Sequence, residues 1–162
     1  MENVEGQSLY DLVTRSGPLS PSRTITIALD ILDALGEAHA LKIIHRDVRP
    51  PNVVVGDRRT TLVDFSLGAD RKLVVSPTRE GDSLGDWEYA APEQKADASK
   101  ADPRCDFYSL GCTIRFMLSG AASVDSGTRA TPLAVQGVVD RATALKPEER
   151  YCLLYTSPSP RD

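Results

Sequence analysis

The chain has 162 residues, 41% of them hydrophobic and 26% charged, which is typical of one soluble globular domain large enough to bury a core. Its net charge of −4 gives no reason to expect nucleic acid or an anionic membrane as a partner. There is no run of eighteen apolar residues, and the three cysteines lack metal-ligand spacing. We therefore expect no membrane segment here, and reduced thiols in a cytoplasmic protein.

Two helices are predicted at the start of the chain. Ser8 precedes a short helix that ends at Gly17-Pro18, and Ser20-Pro21 begin the longest helix. Apolar residues recur along this second helix at helical spacing and are assigned to the core: Ala28, Ile31, Leu32, Leu35 and Ala38. His39 lies at the end of this stripe, and we interpret it as a partly buried structural histidine rather than a ligand.

A β-hairpin with polar groups at both ends follows. Its strands are the β-branched runs Val53 to Val55 and Thr61 to Val63, and the loop GDRR between them has hairpin length and turn chemistry. Folding the hairpin brings Asn52 toward Asp64. An amide and a carboxylate that converge beside a second carboxylate, Asp47, suit a magnesium ion holding phosphates, because Mg²⁺ prefers a few hard oxygen ligands.

The second half of the chain alternates loops and helices. Leu67 to Asp86 contains proline, glycine and mixed charge, as a mobile loop does. Gln94 to Pro103 is polar, and a helix is predicted from about Arg104 to Leu118, ending at Gly120. Pro132 to Ala144 is the last predicted helix.

Four motifs occur in the order in which protein kinases carry them. HRDVRPPN, which ends at Asn52, resembles the catalytic loop, and Asp64-Phe65 resembles the start of the magnesium loop. Ala91-Pro92-Glu93 is similar to the motif that closes the activation segment, and DFYSLG from Asp106 resembles the start of the next helix. The resemblance implies an α+β, mostly α fold: the helical kinase C-lobe with short β-hairpins at the cleft.

The resemblance also implies roles for the matched residues. Asp47, Arg49 and Asn52 form the candidate catalytic set, in which Asp47 is the base that accepts the proton of an incoming hydroxyl. Asn52 and Asp64 would bind magnesium beside ATP. The sequence RPPN, which begins two residues after Asp47, favours a protein substrate with a serine or threonine hydroxyl over one with a tyrosine hydroxyl.

The first residues are similar to the kinase hinge. There, backbone groups hydrogen-bond the adenine, so Glu2 and Val4 would make these contacts and Leu9 would pack under the base. Val54 completes the candidate ATP-binding set, which also contains Asn52 and Asp64. No Gly-rich phosphate loop or strand lysine precedes this segment. We therefore expect a fragment without the N-lobe, inactive in isolation.

Two further contacts are expected from the resemblance. Asp106 would accept hydrogen bonds from the catalytic-loop backbone, a role compatible with an ordinary N-cap. Arg150, in the sequence PEERY, would pair with Glu93. From about Cys152 the sequence resembles translated adapter, so residues 1–151 are assigned to the kinase domain and 152–162 to a non-native tail.

Three positions depart from the kinase pattern. Arg49 replaces a usual lysine, Ser66 a glycine and Asp86 a threonine. The paired changes predict an ion pair between Arg49 and Asp86, because guanidinium and carboxylate match in a bidentate fork. Asp82 is predicted to contact Arg46 where many relatives carry a phosphorylated threonine.

The main interpretation is an ATP- and Mg²⁺-dependent serine/threonine protein kinase of the bacterial type, with a protein hydroxyl as substrate. One alternative is a pseudokinase that acts as a nucleotide-binding or scaffolding module. The other is a small-molecule phosphotransferase of the same fold, against which the Ala-Pro-Glu segment argues. The natural protein could be a membrane-anchored receptor kinase with a cytoplasmic kinase domain.

Overall fold

A computed structural model describes residues 5–65, 88–97, 99, 101–120 and 132–152 of the chain. These ranges contain a three-stranded sheet formed by β1 (Gln7–Ser8), β2 (Val53–Val55) and β3 (Thr60–Leu62). They also contain five α-helices: α1 (Leu9–Ser16), α2 (Pro21–Ala40), α3 (Pro92–Ala96), α4 (Arg104–Ser119) and α5 (Leu133–Ala142). Short 3-10 turns cover Pro50–Asn52 and Pro147–Glu149.

Helices α1 and α2 begin and end where their capping residues predict. The Ser8 hydroxyl accepts a hydrogen bond from the Asp11 backbone N–H at 3.0 Å, and Gly17, with φ 77°, follows the last turn of α1. The Ser20 hydroxyl accepts from the Arg23 backbone N–H at 3.3 Å. Both predicted N-caps are therefore confirmed.

The long helix α2 supplies one side of the main core. Ile31 and Leu35 are buried completely or nearly so, whereas Leu32, predicted on the same stripe, is half-buried. α2 packs against α4 and against the edge strand β3. The Asp30 carboxylate accepts a hydrogen bond from the Thr60 backbone N–H at 2.8 Å, so the helix also satisfies a polar group of that edge strand.

The predicted hairpin is present, one residue displaced in its second strand. β2 lies between β1 and β3 and pairs antiparallel with both, so that Val54 is opposite Ser8 on one side and Thr61 on the other. The second strand ends at Leu62, and the next backbone N–H, that of Val63, donates to the Asn52 carbonyl across the hairpin at 2.9 Å. This last bond closes the polar end of the hairpin.

Helix α4 passes through the interior and contacts both α2 and α5. Cys105 and Cys112 are buried free cysteines on this helix, and Cys152 is an exposed free cysteine. The stretch from Gln94 was predicted to be merely polar, but α3 extends through it as far as Ala96. Among the described residues, no helix combines the length and apolar character needed to cross a membrane.

Gly111 allows α4 and α5 to approach closely. A Cβ atom at this position would lie 2.7 Å from Thr143 Cγ2 and 3.0 Å from Ala142 Cβ. Thr143 has little freedom to move, because its hydroxyl donates to the Val139 carbonyl at 2.9 Å. We expect Gly111→Ala to lower the free energy of unfolding by about 1–3 kcal/mol through overpacking, as measured by urea denaturation.

A matched control for this substitution lies on the neighbouring helix. At Gly137 an added Cβ would meet no atom within 4 Å. Gly137→Ala should therefore raise the free energy of unfolding by up to about 1 kcal/mol, because alanine favours the helix. Equal effects of the two substitutions would contradict the close packing at Gly111.

Candidate active site

A buried carboxylate on α4 anchors the loop that contains Asp47. Asp106 has no exposed surface and accepts hydrogen bonds from the backbone N–H groups of His45 and Arg46, at 2.9 and 2.7 Å. The ring Nε2 of His39 lies 2.7 Å from the same carboxylate, which supports the structural interpretation of that histidine. The expected contact with the loop backbone is therefore present. Asp106 is not an N-cap, however, because it lies within the first turn of α4.

His45 holds the two ends of the site together. Its Nδ1 accepts from the Asp47 backbone N–H at 3.2 Å, which leaves Nε2 to donate to the Val63 carbonyl at 3.0 Å. Its ring packs edge-on against Phe65, with centroids 4.4 Å apart. The two hydrogen bonds add to this packing a polar role of His45 that the motif alone did not indicate.

The two oxygens of the Asp47 carboxylate have different surroundings. Oδ2 accepts hydrogen bonds from Arg49 Nε at 3.1 Å and from Asn52 Nδ2 at 2.8 Å. In the described part of the chain, Oδ1 has no hydrogen-bond donor. Burial raises the pKa of Asp47 above its usual value, and the charge of Arg49 and the hydrogen bond from Asn52 oppose part of that rise. The site therefore holds one oxygen in place and leaves the other for a further partner.

Asn52 and Asp64 have the chemistry of a magnesium site. Asn52 Nδ2 donates to both the backbone carbonyl and the carboxylate of Asp47, so the orientation of the amide is set and its Oδ1 remains an acceptor. The bond between Asn52 and Val63 places Asp64 one residue beyond this end of the hairpin. Asp64 has a left-handed backbone with φ 66°, which a non-glycine residue adopts at some energetic cost. An amide oxygen and a carboxylate fit Mg²⁺, which takes its other ligands from water and phosphate.

The candidate nucleotide-binding residues are placed unevenly. Val54 is half-buried in the central strand, whereas Glu2 and Val4 lie outside the described residues. Leu9 was expected under the base, but its side chain is completely buried in the main core, so that expectation is wrong. Gly6, with φ 151°, comes so close to the central strand that a Cβ would lie 2.7 Å from the Val55 carbonyl oxygen.

The three departures from the kinase pattern are only partly described. Arg49 pairs with Asp47, and both side chains are 23% exposed. Ser66, Asp82 and Asp86 lie outside the described residues. The ion pair between Arg49 and Asp86 and the contact between Asp82 and Arg46 therefore remain predictions.

The predicted pair of Arg150 and Glu93 is present, and its arginine is buried. The Arg150 guanidinium donates to both carboxylate oxygens, at 2.6 and 2.9 Å, in the bidentate geometry. It also donates to the carbonyls of Ala144 and Leu145 and lies over the Tyr108 ring, 4.9 Å from its centroid. This pair joins α3 to the chain segment after α5.

Gln94 contacts the site and was not identified from the sequence. Its Oε1 accepts from the Ala91 backbone N–H at 3.1 Å, and its Nε2 donates to the Arg46 carbonyl at 3.0 Å. A sequence signal did exist. Gln94 stands three residues after the N-cap Ala91, with Pro92 at the first helical position, which is where the glutamine of a capping box occurs.

The fold and this arrangement match one family. The sequence model of the protein kinase domain family matches residues 1–149, and the chain belongs to that family. It is 34% identical to the serine/threonine-protein kinase PknH of Mycobacterium bovis over 175 aligned positions, covering 93% of this chain and 28% of PknH. It is 35% identical to the serine/threonine-protein kinase PknL of Mycobacterium tuberculosis, covering 90% of this chain and 37% of PknL.

A solved structure shows the same relationship. The crystal structure of the PknI kinase domain from Mycobacterium tuberculosis superposes with a TM-score of 0.70 at 28% identity, covering 93% of this chain and 59% of that domain. The predicted α+β, mostly α kinase fold is confirmed. The chain spans about a third of the length of the two curated relatives described above.

Proposed function

We propose that this chain carries the catalytic loop of an ATP-dependent serine/threonine protein kinase. The observation that supports this most directly is the asymmetry of Asp47. Arg49 and Asn52 both bind its Oδ2, and Oδ1 accepts no hydrogen bond in the described part of the chain. A catalytic base needs one oxygen held in position and one oxygen available to the reacting hydroxyl.

In the proposed reaction, Asp47 Oδ1 accepts the proton of a serine or threonine hydroxyl of a protein substrate. The hydroxyl oxygen then forms a bond to the γ-phosphorus of ATP. The bond from that phosphorus to the oxygen bridging the β and γ groups breaks, and ADP leaves with the electron pair. Positioning and charge stabilisation supply most of the rate in such transfers, which makes the rigid placement of Asp47 relevant.

The other predicted site residues are assigned to the nucleotide. Asn52 and Asp64 would hold Mg²⁺, which neutralises phosphate charge when it is bound. Val54 would contact the adenine from the central strand, and the backbones of Glu2 and Val4 would hydrogen-bond it. We place this reaction in the cytoplasm, and the residues assigned here come from the kinase resemblance.

The experiment compares wild type with Asp47→Asn for Mg²⁺-dependent transfer of the ATP γ-phosphate. Because the chain spans part of each relative's length, the assay uses the natural protein that contains it. We expect kcat to fall about 10²- to 10⁴-fold in the variant, the usual contribution of a general base. Asp57→Asn, in the exposed hairpin loop, is the matched control and should retain full activity.

Stability separates loss of chemistry from loss of fold. The pKa of Asp47 is raised in the folded protein, so ionised Asp47 weakens folding at neutral pH, and this penalty disappears in acid as the group is protonated. Asp47→Asn should therefore be at least as stable as wild type at pH 7, since the Asn oxygen can replace Oδ2.

A wild-type protein that binds ATP without transferring phosphate would instead support the pseudokinase alternative.

A further inference from the structure

The side chain of Gln94 uses both ends of its amide on backbone groups of two different segments. Oε1 accepts from the Ala91 N–H at the start of α3, and Nε2 donates to the Arg46 carbonyl 48 residues away in sequence. Because a backbone N–H can only donate and a carbonyl can only accept, these two contacts fix which end of the amide is which. Gln94 therefore connects the end of the Ala-Pro-Glu motif directly to the catalytic loop.

The contacted residue is conformationally unusual. Arg46 has φ 69°, a left-handed backbone that is rare outside glycine and costs on the order of 1–3 kcal/mol unless its surroundings hold it in place. Two side chains hold it: Asp106 accepts from its N–H at 2.7 Å, and Gln94 donates to its carbonyl at 3.0 Å. The second bond is made to the carbonyl of the peptide that joins Arg46 to Asp47. We therefore expect its loss to change the position of Asp47 first.

Helix α3 is a firm base for this contact. Glu93, the neighbour of Gln94, is held by both terminal nitrogens of the Arg150 guanidinium. Ala91 is completely buried in a second small core with Ala101 and Cys105. Gln94 thus reaches the loop from an element that is fixed on its other side.

We propose that Gln94 is a positioning residue for Asp47, acting through the Arg46 carbonyl. It couples the closing end of the activation segment to the catalytic base, so that a shift of α3 changes the placement of the Asp47 carboxylate. The inference concerns the same site as the proposed kinase function and rests on that function for its kinetic consequence. The contact itself is independent of it.

The test is Gln94→Glu in the natural protein that contains this chain. Glutamate keeps an oxygen for the Ala91 N–H but replaces the donor facing the Arg46 carbonyl with a second acceptor. We expect kcat to fall up to about a hundredfold with the KM for ATP within about twofold of wild type. Hydrogen exchange of the Arg46 and Asp47 amides should become about three- to tenfold faster, while protection in α3 is unchanged.

Two further variants make the result decisive. Gln94→Met removes both contacts at similar volume and should lower kcat as much as Gln94→Glu, with additional fraying of α3. Gln136→Glu makes the same chemical change on α5, where the Gln136 Nε2 donates to the Asp140 carboxylate, and should leave kcat and loop exchange unchanged.

Three results would overturn the proposal or separate it from the proposed function. Full kcat and unchanged loop exchange in Gln94→Glu would refute it. Equal loss of protection in α3 and the catalytic loop in Gln94→Glu would make Gln94 a general structural residue and also refute it. If wild type transfers no phosphate, the kinase proposal fails, and faster exchange confined to Arg46 and Asp47 would still support the positioning contact.

Discussion

Arg150→Met should lower the free energy of unfolding by about 3–5 kcal/mol, the cost of breaking a buried ion pair by removing one partner. The Arg150 side chain has no exposed surface, and that of Glu93 is 16% exposed. Methionine would leave the Glu93 carboxylate without its bidentate partner and the carbonyls of Ala144 and Leu145 without their donor. Urea denaturation of the natural protein that contains this chain measures the change.

The control is an arginine on the surface of the same region. Arg104 pairs with Asp102, but their side chains are 32% and 38% exposed, so Arg104→Met should cost at most about 1 kcal/mol. A double-mutant cycle with Glu93→Gln isolates the pair. We expect the double variant to be at least as stable as Arg150→Met alone, because the neutral amide no longer leaves a buried charge. Strictly additive effects would show that the two side chains do not interact.

Asp106→Asn should cost about 3 kcal/mol and loosen the catalytic loop. The carboxylate accepts from the His45 N–H with Oδ2 and from the Arg46 N–H with Oδ1. An asparagine has one acceptor oxygen, so its NH₂ group would face one of these two donors and leave that buried N–H unsatisfied. An NH₂ group that faces the Arg46 N–H removes one of the two side-chain contacts that hold the left-handed Arg46.

Urea denaturation and hydrogen exchange measure this effect together. Hydrogen exchange should become faster at the His45 and Arg46 amides while the amides of α4 keep their protection, because the change lies at the contact between helix and loop. Asp140→Asn, an exposed position on α5, is the control and should change stability by no more than about 0.5 kcal/mol. Wild-type protection of the loop in Asp106→Asn would mean that the loop is held by other contacts.

The two side chains that hold the catalytic loop, those of Asp106 and Gln94, come from different parts of the fold. Asp106 belongs to a helix that passes through the core, and Gln94 belongs to a five-residue helix held by Arg150. We therefore expect Arg150→Met to affect the loop through α3 and Asp106→Asn to affect it directly from α4. Comparing loop exchange in Arg150→Met and Asp106→Asn would separate these two routes.

The local features of the sequence predicted local structure well. Ser8 and Ser20 are helix caps because a serine oxygen satisfies a nearby N–H, and that needs no distant residue. The stripe on α2 and the hairpin depend on spacing and turn chemistry within a few residues. The order of the kinase motifs identified the family, and with it the pairing of Arg150 with Glu93, 57 residues apart.

Tertiary structure decided the features that depend on where separate segments meet. The family pattern placed Leu9 under the adenine base, but in the folded chain other residues cover its side chain completely. The two bonds of His45 depend on the ring orientation that Phe65 and the hairpin impose. Gln94 could be placed in a capping position from the sequence, but its donation to Arg46 needs two segments 48 residues apart to come within 3.0 Å. Helix caps and hydrophobic periodicity depend on residues that are close in sequence. Contacts between distant segments form only when burial brings those segments together.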